Sequence, residues 1–264
     1  MSNQNKEDEA DVFQSFVIAM SMYSRIPMPR MEWSRGGMKY ALCFFPLIGA
    51  VIGGLVTIFH IIAGRLGLGE VAAACIGTAL PFLVTGGIHM DGFLDTVDAR
   101  SSCQDRKRKL EILKDPHTGA FAIIGGGVYL LLYAAVFSLL KDRAFPAAAG
   151  IYVMTRAFSG WSVVTFPKAK KDGLASTFAS GAQVRAVQAV MGVWALAAAG
   201  FFWYTGGALT AALLVLTAVA VLFWYYRTAM REFGGMTGDL AGYFLQIAEL
   251  VMLAVLAACT FAAG

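Results

Sequence analysis

What this sequence has little of is charge. Asp, Glu, Lys and Arg make up 14% of the 264 residues, where a soluble domain carries about a quarter. With 58% hydrophobic residues and a mean hydropathy of +0.65, one aqueous core could not enclose all the apolar surface. That excludes an ordinary water-soluble domain and makes the bilayer part of the solvent. Paired cysteines are missing as well. Cys43, Cys75, Cys103 and Cys259 are scattered, with no CxxC or Cys/His spacing, so neither a disulfide framework nor a zinc site is supported. Residues 1–11 are polar and acidic, which is not the pattern of a secretory signal, and read as a disordered tail. No internal repeat and no linker divides the remainder, so residues 12–264 read as a single membrane-embedded domain.

What is present is a series of long apolar runs. Seven segments, 40–63, 71–89, 121–140, 145–166, 186–204, 207–226 and 243–262, are each long enough to cross a bilayer as a helix. Helices satisfy their own backbone groups, which lipid-exposed strands cannot. The expected fold is therefore an all-α polytopic membrane bundle of about seven transmembrane helices. The earlier run, 12–23, is too short to span and is expected on the membrane surface or against the bundle. Only Thr205 and Gly206 join the fifth and sixth segments, which must form an antiparallel hairpin. Abundant glycine, 29 residues, suits helices that approach closely through small side chains.

Positive charges set the orientation. With the N-terminus in the cytoplasm, 17 of the 21 Lys and Arg residues fall inside, 3 outside, and Arg156 within a span. The polar loops near 89–119, 167–185 and 231–239 then share the cytoplasmic face.

Asp91, Asp95 and Asp98 follow an i, i+4, i+7 spacing, which places them within roughly 60° of one helical face. Like charges so arranged repel unless a cation lies among them. Hard oxygen donors suit Mg²⁺ or Mn²⁺, ions that bridge carboxylates to substrate phosphates. The plainer reading, a solvated helix end, fits poorly with acids that directly follow an apolar span on the positive side. Gly92 permits a close approach, while His89 falls toward the opposite side unless Gly86 and Gly87 break the helix. Asp239, on the glycine-permitted turn Gly234-Gly235-Met236-Thr237-Gly238-Asp239, offers a fourth carboxylate. Glu249 lies ~15 Å deeper along the helix, where an ionisable group is functional by default or a structural partner for Arg156. Lys114-Asp115-Pro116-His117-Thr118-Gly119 is a polar turn with Lys114 and His117 as groups for phosphate. The basic runs Arg106–Lys109 and Lys168-Ala169-Lys170-Lys171-Asp172 read first as topology signals. Carboxylates for metal and cations for phosphate point to phosphoryl or nucleotidyl transfer.

These motifs also resemble a known family. Thr85-Gly86-Gly87-Ile88-His89-Met90-Asp91-Gly92-Phe93-Leu94-Asp95-Thr96-Val97-Asp98 is similar to the signature of cobalamin synthase, or adenosylcobinamide-GDP ribazoletransferase. So, in order, are Ser24-Arg25-Ile26-Pro27-Met28-Pro29, Phe45-Pro46-Leu47-Ile48-Gly49, the 114–121 segment and Gly234–Asp239. Departures are Ser24, Met90, Leu94, Ala99-Arg100, Tyr243 and Gln246; Met90 cannot be a metal ligand, and Gln246 removes one carboxylate. The resemblance implies transfer of α-ribazole, or its 5′-phosphate, onto adenosylcobinamide-GDP with release of GMP, Mg²⁺ as cofactor, and a bacterial inner-membrane location. It makes 12–264 one catalytic domain facing the cytoplasm. The expected metal ligands are Asp91, Asp95, Asp98 and Asp239, with Asp91, Asp95 or His117 taking the hydroxyl proton. The expected substrate-binding set is His89, Lys114, Asp115, Thr118, Gly119, Arg156, Thr237, Gly238 and Glu249, with Lys114 and Arg156 for phosphate charge. The partners are these substrates and the lipid bilayer, with no nucleic acid; a homo-oligomer stays open.

Two other classes use similar residues. A CDP-alcohol phosphotransferase would carry D-x-x-D-G-x-x-A-R, of which only the fragment Asp98-Ala99-Arg100 occurs. A transporter could use Arg156 and Glu249, but repeat symmetry is lacking.

Overall fold

The computed structural model describes residues 11–169 and 174–262. Most of the expected tail, together with Lys170, Lys171 and Asp172, lies outside the described residues. The described chain is helical, with connecting turns and one isolated β-bridge. Its helices are α1 (Val12–Tyr23), α2 (Arg35–Met38), α3 (Phe45–Arg65), α4 (Glu70–Thr85), α5 (Ile88–Ser101) and α6 (Arg106–Ile112). There follow α7 (Ala120–Ser138), α8 (Phe145–Thr165), α9 (Leu174–Gly181), α10 (Val184–Thr228) and α11 (Gly238–Ala262). A π-helical turn, Ala229–Phe233, ends α10.

This is an all-α polytopic membrane bundle. Leu131, Leu196 and Leu209 are each more than 70% exposed, a liability in water but an ordinary outer face in lipid. The short α1 packs on the bundle, burying Val17, Ile18, Ala19 and Met20.

All seven expected segments are helical, with two changes. The segment 71–89 is not one helix. Gly86 and Gly87 both take left-handed backbone angles, φ 65° and 80°, so α4 stops at Thr85 and the chain turns 99° into α5. His89 therefore belongs to α5. The pair 186–204 and 207–226 forms one helical stretch of 45 residues, broken at Gly207 (φ 78°, ψ 174°). Its first half runs from Met191 beside Gly160 to Phe202 beside Gly150. Its second half returns, placing Tyr225 5.6 Å from the Phe166 ring. The two halves thus form the expected hairpin.

By length and composition four stretches qualify as spans, or five if the bent pair α4–α5 counts as one. Seven was expected. Part of the difference is the merged α10, and part is α8. That helix has 21 residues but carries Thr155, Arg156, Ser159 and Ser162, all buried. It packs against α3, α10 and α11, so protein rather than lipid surrounds most of it. A helix in that position can hold polar groups that a lipid-facing one could not.

Candidate functional site

The bend after α4 carries α5 across one end of the bundle. With Asp91, Asp95, Asp98 and Arg100 among 14 residues, α5 is too polar to cross lipid. The Arg25 N–H donates to the Val84 carbonyl oxygen at 2.7 Å, and the Arg25 side chain packs behind Gly86. The N-terminal motif is thereby fastened to the bend.

Two missing side chains then bring α5 onto α11. A Cβ on Gly92 would fall 2.8 Å from the Asp239 Cα, and one on Gly242 would fall 2.8 Å from the His89 carbonyl oxygen. Thr237 caps α11, accepting from the Leu240 N–H at 3.2 Å, so the positive end of a 25-residue helix sits at this junction. The turn before it is held by a parallel β-bridge between Lys168 and Met236. The Ala169 N–H donates to the Met236 oxygen (3.0 Å), and the Met236 N–H to the Pro167 oxygen (2.8 Å).

Between these elements lies a cavity of about 320 Å³. Of the expected residues, His89, Asp91, Lys114, Thr237, Gly238 and Asp239 line it. Asp95 stands close behind them. Burial and the nearby carboxylates of Asp91, Asp239 and Asp98 push its carboxyl up to about 6. Four acids thus share one electrostatic neighbourhood. Among the described residues, no three His, Cys, Asp or Glu side chains converge into a ready coordination shell. The donor set nonetheless fits Mg²⁺, which is usually held by one or two carboxylates with waters and substrate phosphates completing its shell.

Other expected residues stand elsewhere. Asp98 lies against Gly119, leaving no room for a Cβ there. Its carboxylate sits at the amino end of α7, a position that favours negative charge. His117 is 90% exposed and pairs with Asp115 (Nδ1–Oδ1 2.8 Å) on the outer turn; Thr118 is exposed beside it. Asp98, Asp115, His117, Thr118 and Gly119 all stand outside the cavity lining. Arg156 and Glu249 form an ion pair, Nη1–Oε1 2.6 Å, with each side chain only 1% exposed. They join α8 to α11 and contribute no surface to the cavity. Gln246 accepts from the Tyr129 hydroxyl at 2.6 Å, which gives that departure a packing role.

Several lining residues did not stand out in the sequence. Lys168 enters the cavity wall, its Nζ donating to the Val163 and Phe166 carbonyl oxygens at the end of α8; a position after a span disguised it as a topology signal. Tyr23, Phe45 and Ser159 also line the wall, and only the motifs around the first two hinted at them. The basic run at 106–109 is partly docked rather than free. Glu232 accepts from Lys109 at 2.9 Å and from Arg100 at 2.9 Å. Arg100 also donates to the Tyr243 hydroxyl at 2.7 Å.

Comparison with known proteins covers nearly the whole chain. The profile of the cobalamin-5-phosphate synthase family matches residues 15–257. A Lachnoclostridium phytofermentans protein named adenosylcobinamide-GDP ribazoletransferase is 47% identical, covering 90% of each chain. A Clostridium botulinum protein of the same name is 30% identical, covering 95% of this chain and 99% of its own length. No solved structure matches. A family match over nearly the whole length leaves a single assignment: the chain belongs to the cobalamin-5-phosphate synthase family.

Proposed function

We propose that this chain is a membrane-bound adenosylcobinamide-GDP ribazoletransferase. It joins adenosylcobinamide-GDP to α-ribazole, or to α-ribazole 5′-phosphate, giving adenosylcobalamin or its 5′-phosphate and GMP. The observation that carries this reading is the 47% identity to a relative of that name across 90% of both chains.

The reaction is a displacement at phosphorus. A ribose hydroxyl oxygen attacks the phosphorus bearing the corrinoid arm, the bond to the GMP oxygen breaks, and the hydroxyl proton passes to a carboxylate. Asp91 and Asp239, on the cavity wall, are the groups assigned to that proton and, with Asp95, to holding Mg²⁺. Asp98 adds negative charge beside them. Bound Mg²⁺ would offset charge on the diphosphate and on the departing GMP. Lys114, Lys168 and the amino end of α11 at Thr237 and Gly238 supply positive potential for the phosphates. The apolar remainder of the wall excludes water, which strengthens each of these interactions.

The family resemblance implies a bacterial cytoplasmic membrane location, and the bias of Lys and Arg supports this end facing the cytoplasm, where nucleotide-activated substrates are made.

Purified protein in nanodiscs, given adenosylcobinamide-GDP, α-ribazole and Mg²⁺, should release GMP and form a cobalamin. CMP release from a CDP-alcohol, with no cobalamin formed, would overturn the reading.

A further inference from the structure

The cavity wall mixes two kinds of side chain. It carries Asp91, Asp239 and Lys114, and it also carries Tyr23, Phe45 and His89 with aliphatic side chains such as Leu42 and Leu245. The three rings cluster together. Tyr23 and Phe45 lie 4.4 Å apart between centroids, Phe45 and His89 5.5 Å, and Tyr23 and His89 are near-parallel at 6.1 Å. His89 is 6% exposed, and its Nε2 is buried with no hydrogen-bond partner. A buried polar atom without a partner is costly to keep, and this one lies on a residue of the cavity wall, where a ligand could complete the bond.

We infer that this aromatic cluster is the subsite for the planar base of the ribazole nucleoside, with His89 Nε2–H donating to the base's free ring nitrogen. The inference rests on the proposed transferase reading and goes one step into it. Size supports the choice. A cavity of about 320 Å³ sits at the lower limit of small-molecule sites, about 300–1,000 Å³, and suits a nucleoside rather than a corrinoid. Chemistry supports it too: a flat, largely apolar fused ring buries well against aromatic and aliphatic walls, and its one acceptor nitrogen matches one orphaned ring nitrogen, which donates in the Nε2–H tautomer. With the base so held, the ribose extends toward Asp91 and Asp239, where its hydroxyl must react.

The test is equilibrium dialysis of α-ribazole, and of an analogue with CH in place of the free ring nitrogen, against intact protein in nanodiscs without the second substrate. Wild-type protein should bind ribazole about tenfold tighter than the analogue, the discrimination given by one buried hydrogen bond. His89→Phe keeps the ring and the packing and should bind both ligands alike. Tyr23→Leu should weaken both equally and keep the discrimination. Equal binding of the two ligands by wild type, absence of ribazole binding, or discrimination retained in His89→Phe would each overturn the inference. If His89→Phe does not fold, wild-type discrimination together with the Tyr23→Leu result decides. Cobalamin formation is measured separately, so ribazole binding without product formation would sink the transferase reading and leave the subsite standing.

Discussion

Gly92 of α5 faces Asp239 of α11 so closely that a Cβ would come within 2.8 Å of the Asp239 Cα. The missing side chain lets α5 and α11 close on each other beside the cavity that Asp91 and Asp239 both line. Gly92→Ala should push the helices apart and cost activity out of proportion to stability. A displacement of ~1 Å at a reacting centre lowers the rate about 100-fold, whereas overpacking costs ~1–3 kcal/mol. GMP release and thermal unfolding, measured on the same preparation, check both parts.

The carboxylates should separate by position. Asp91→Asn and Asp239→Asn are expected to lower turnover by on the order of 10²–10³ and to raise the Mg²⁺ concentration needed for half-maximal rate. Asp98→Asn, whose side chain sits at the α7 terminus, should cost ~1 kcal/mol of stability and shift the Mg²⁺ requirement less. A Mg²⁺ titration of all three variants distinguishes them.

Exposure argues against His117 as the proton acceptor. His117→Ala should keep its rate within about tenfold, below the 10²–10⁴ that general-base loss costs. A flat pH profile relative to wild type would agree; a collapse of turnover would return the base to the 114–119 turn.

Glu232 gives a pH dependence of folding. Burial pushes its carboxyl up, but hydrogen bonds from Arg100 and Lys109 outweigh that and hold it below the ordinary glutamate value. A carboxyl lowered on folding stabilises above its unfolded value, about 4.3, and that contribution is lost as pH falls through the folded one. The unfolding temperature should therefore drop as pH falls below about 4.3, and Glu232→Gln should flatten that acid limb.

Much of the site could be read in the sequence because its parts are local. The spacing of Asp91 and Asp95, the glycine turn before Asp239 and the position of Lys114 are fixed within short stretches of chain. What could not be read depended on contacts between distant segments. Lys168 follows a span like any topology signal, and only its bridge to Met236 places it at the cavity. Asp98 shares a helical face with Asp91, but its carboxylate packs against Gly119, just before another helix. For His89 the sequence leaves two positions open, according to whether Gly86 and Gly87 break the helix. Both take left-handed angles, the helix ends there, and His89 lines the cavity.

The Arg156–Glu249 pair has a consequence for how the protein is made. The partners lie 93 residues apart in sequence, so during synthesis Arg156 is emplaced long before Glu249 exists. Until α11 arrives, a lone guanidinium must wait in or beside the bilayer, and losing its partner in the finished fold costs ~3–5 kcal/mol. Helix α11 thus acts as a latch: a chain truncated before it would leave the Arg156 charge on α8 without its carboxylate partner.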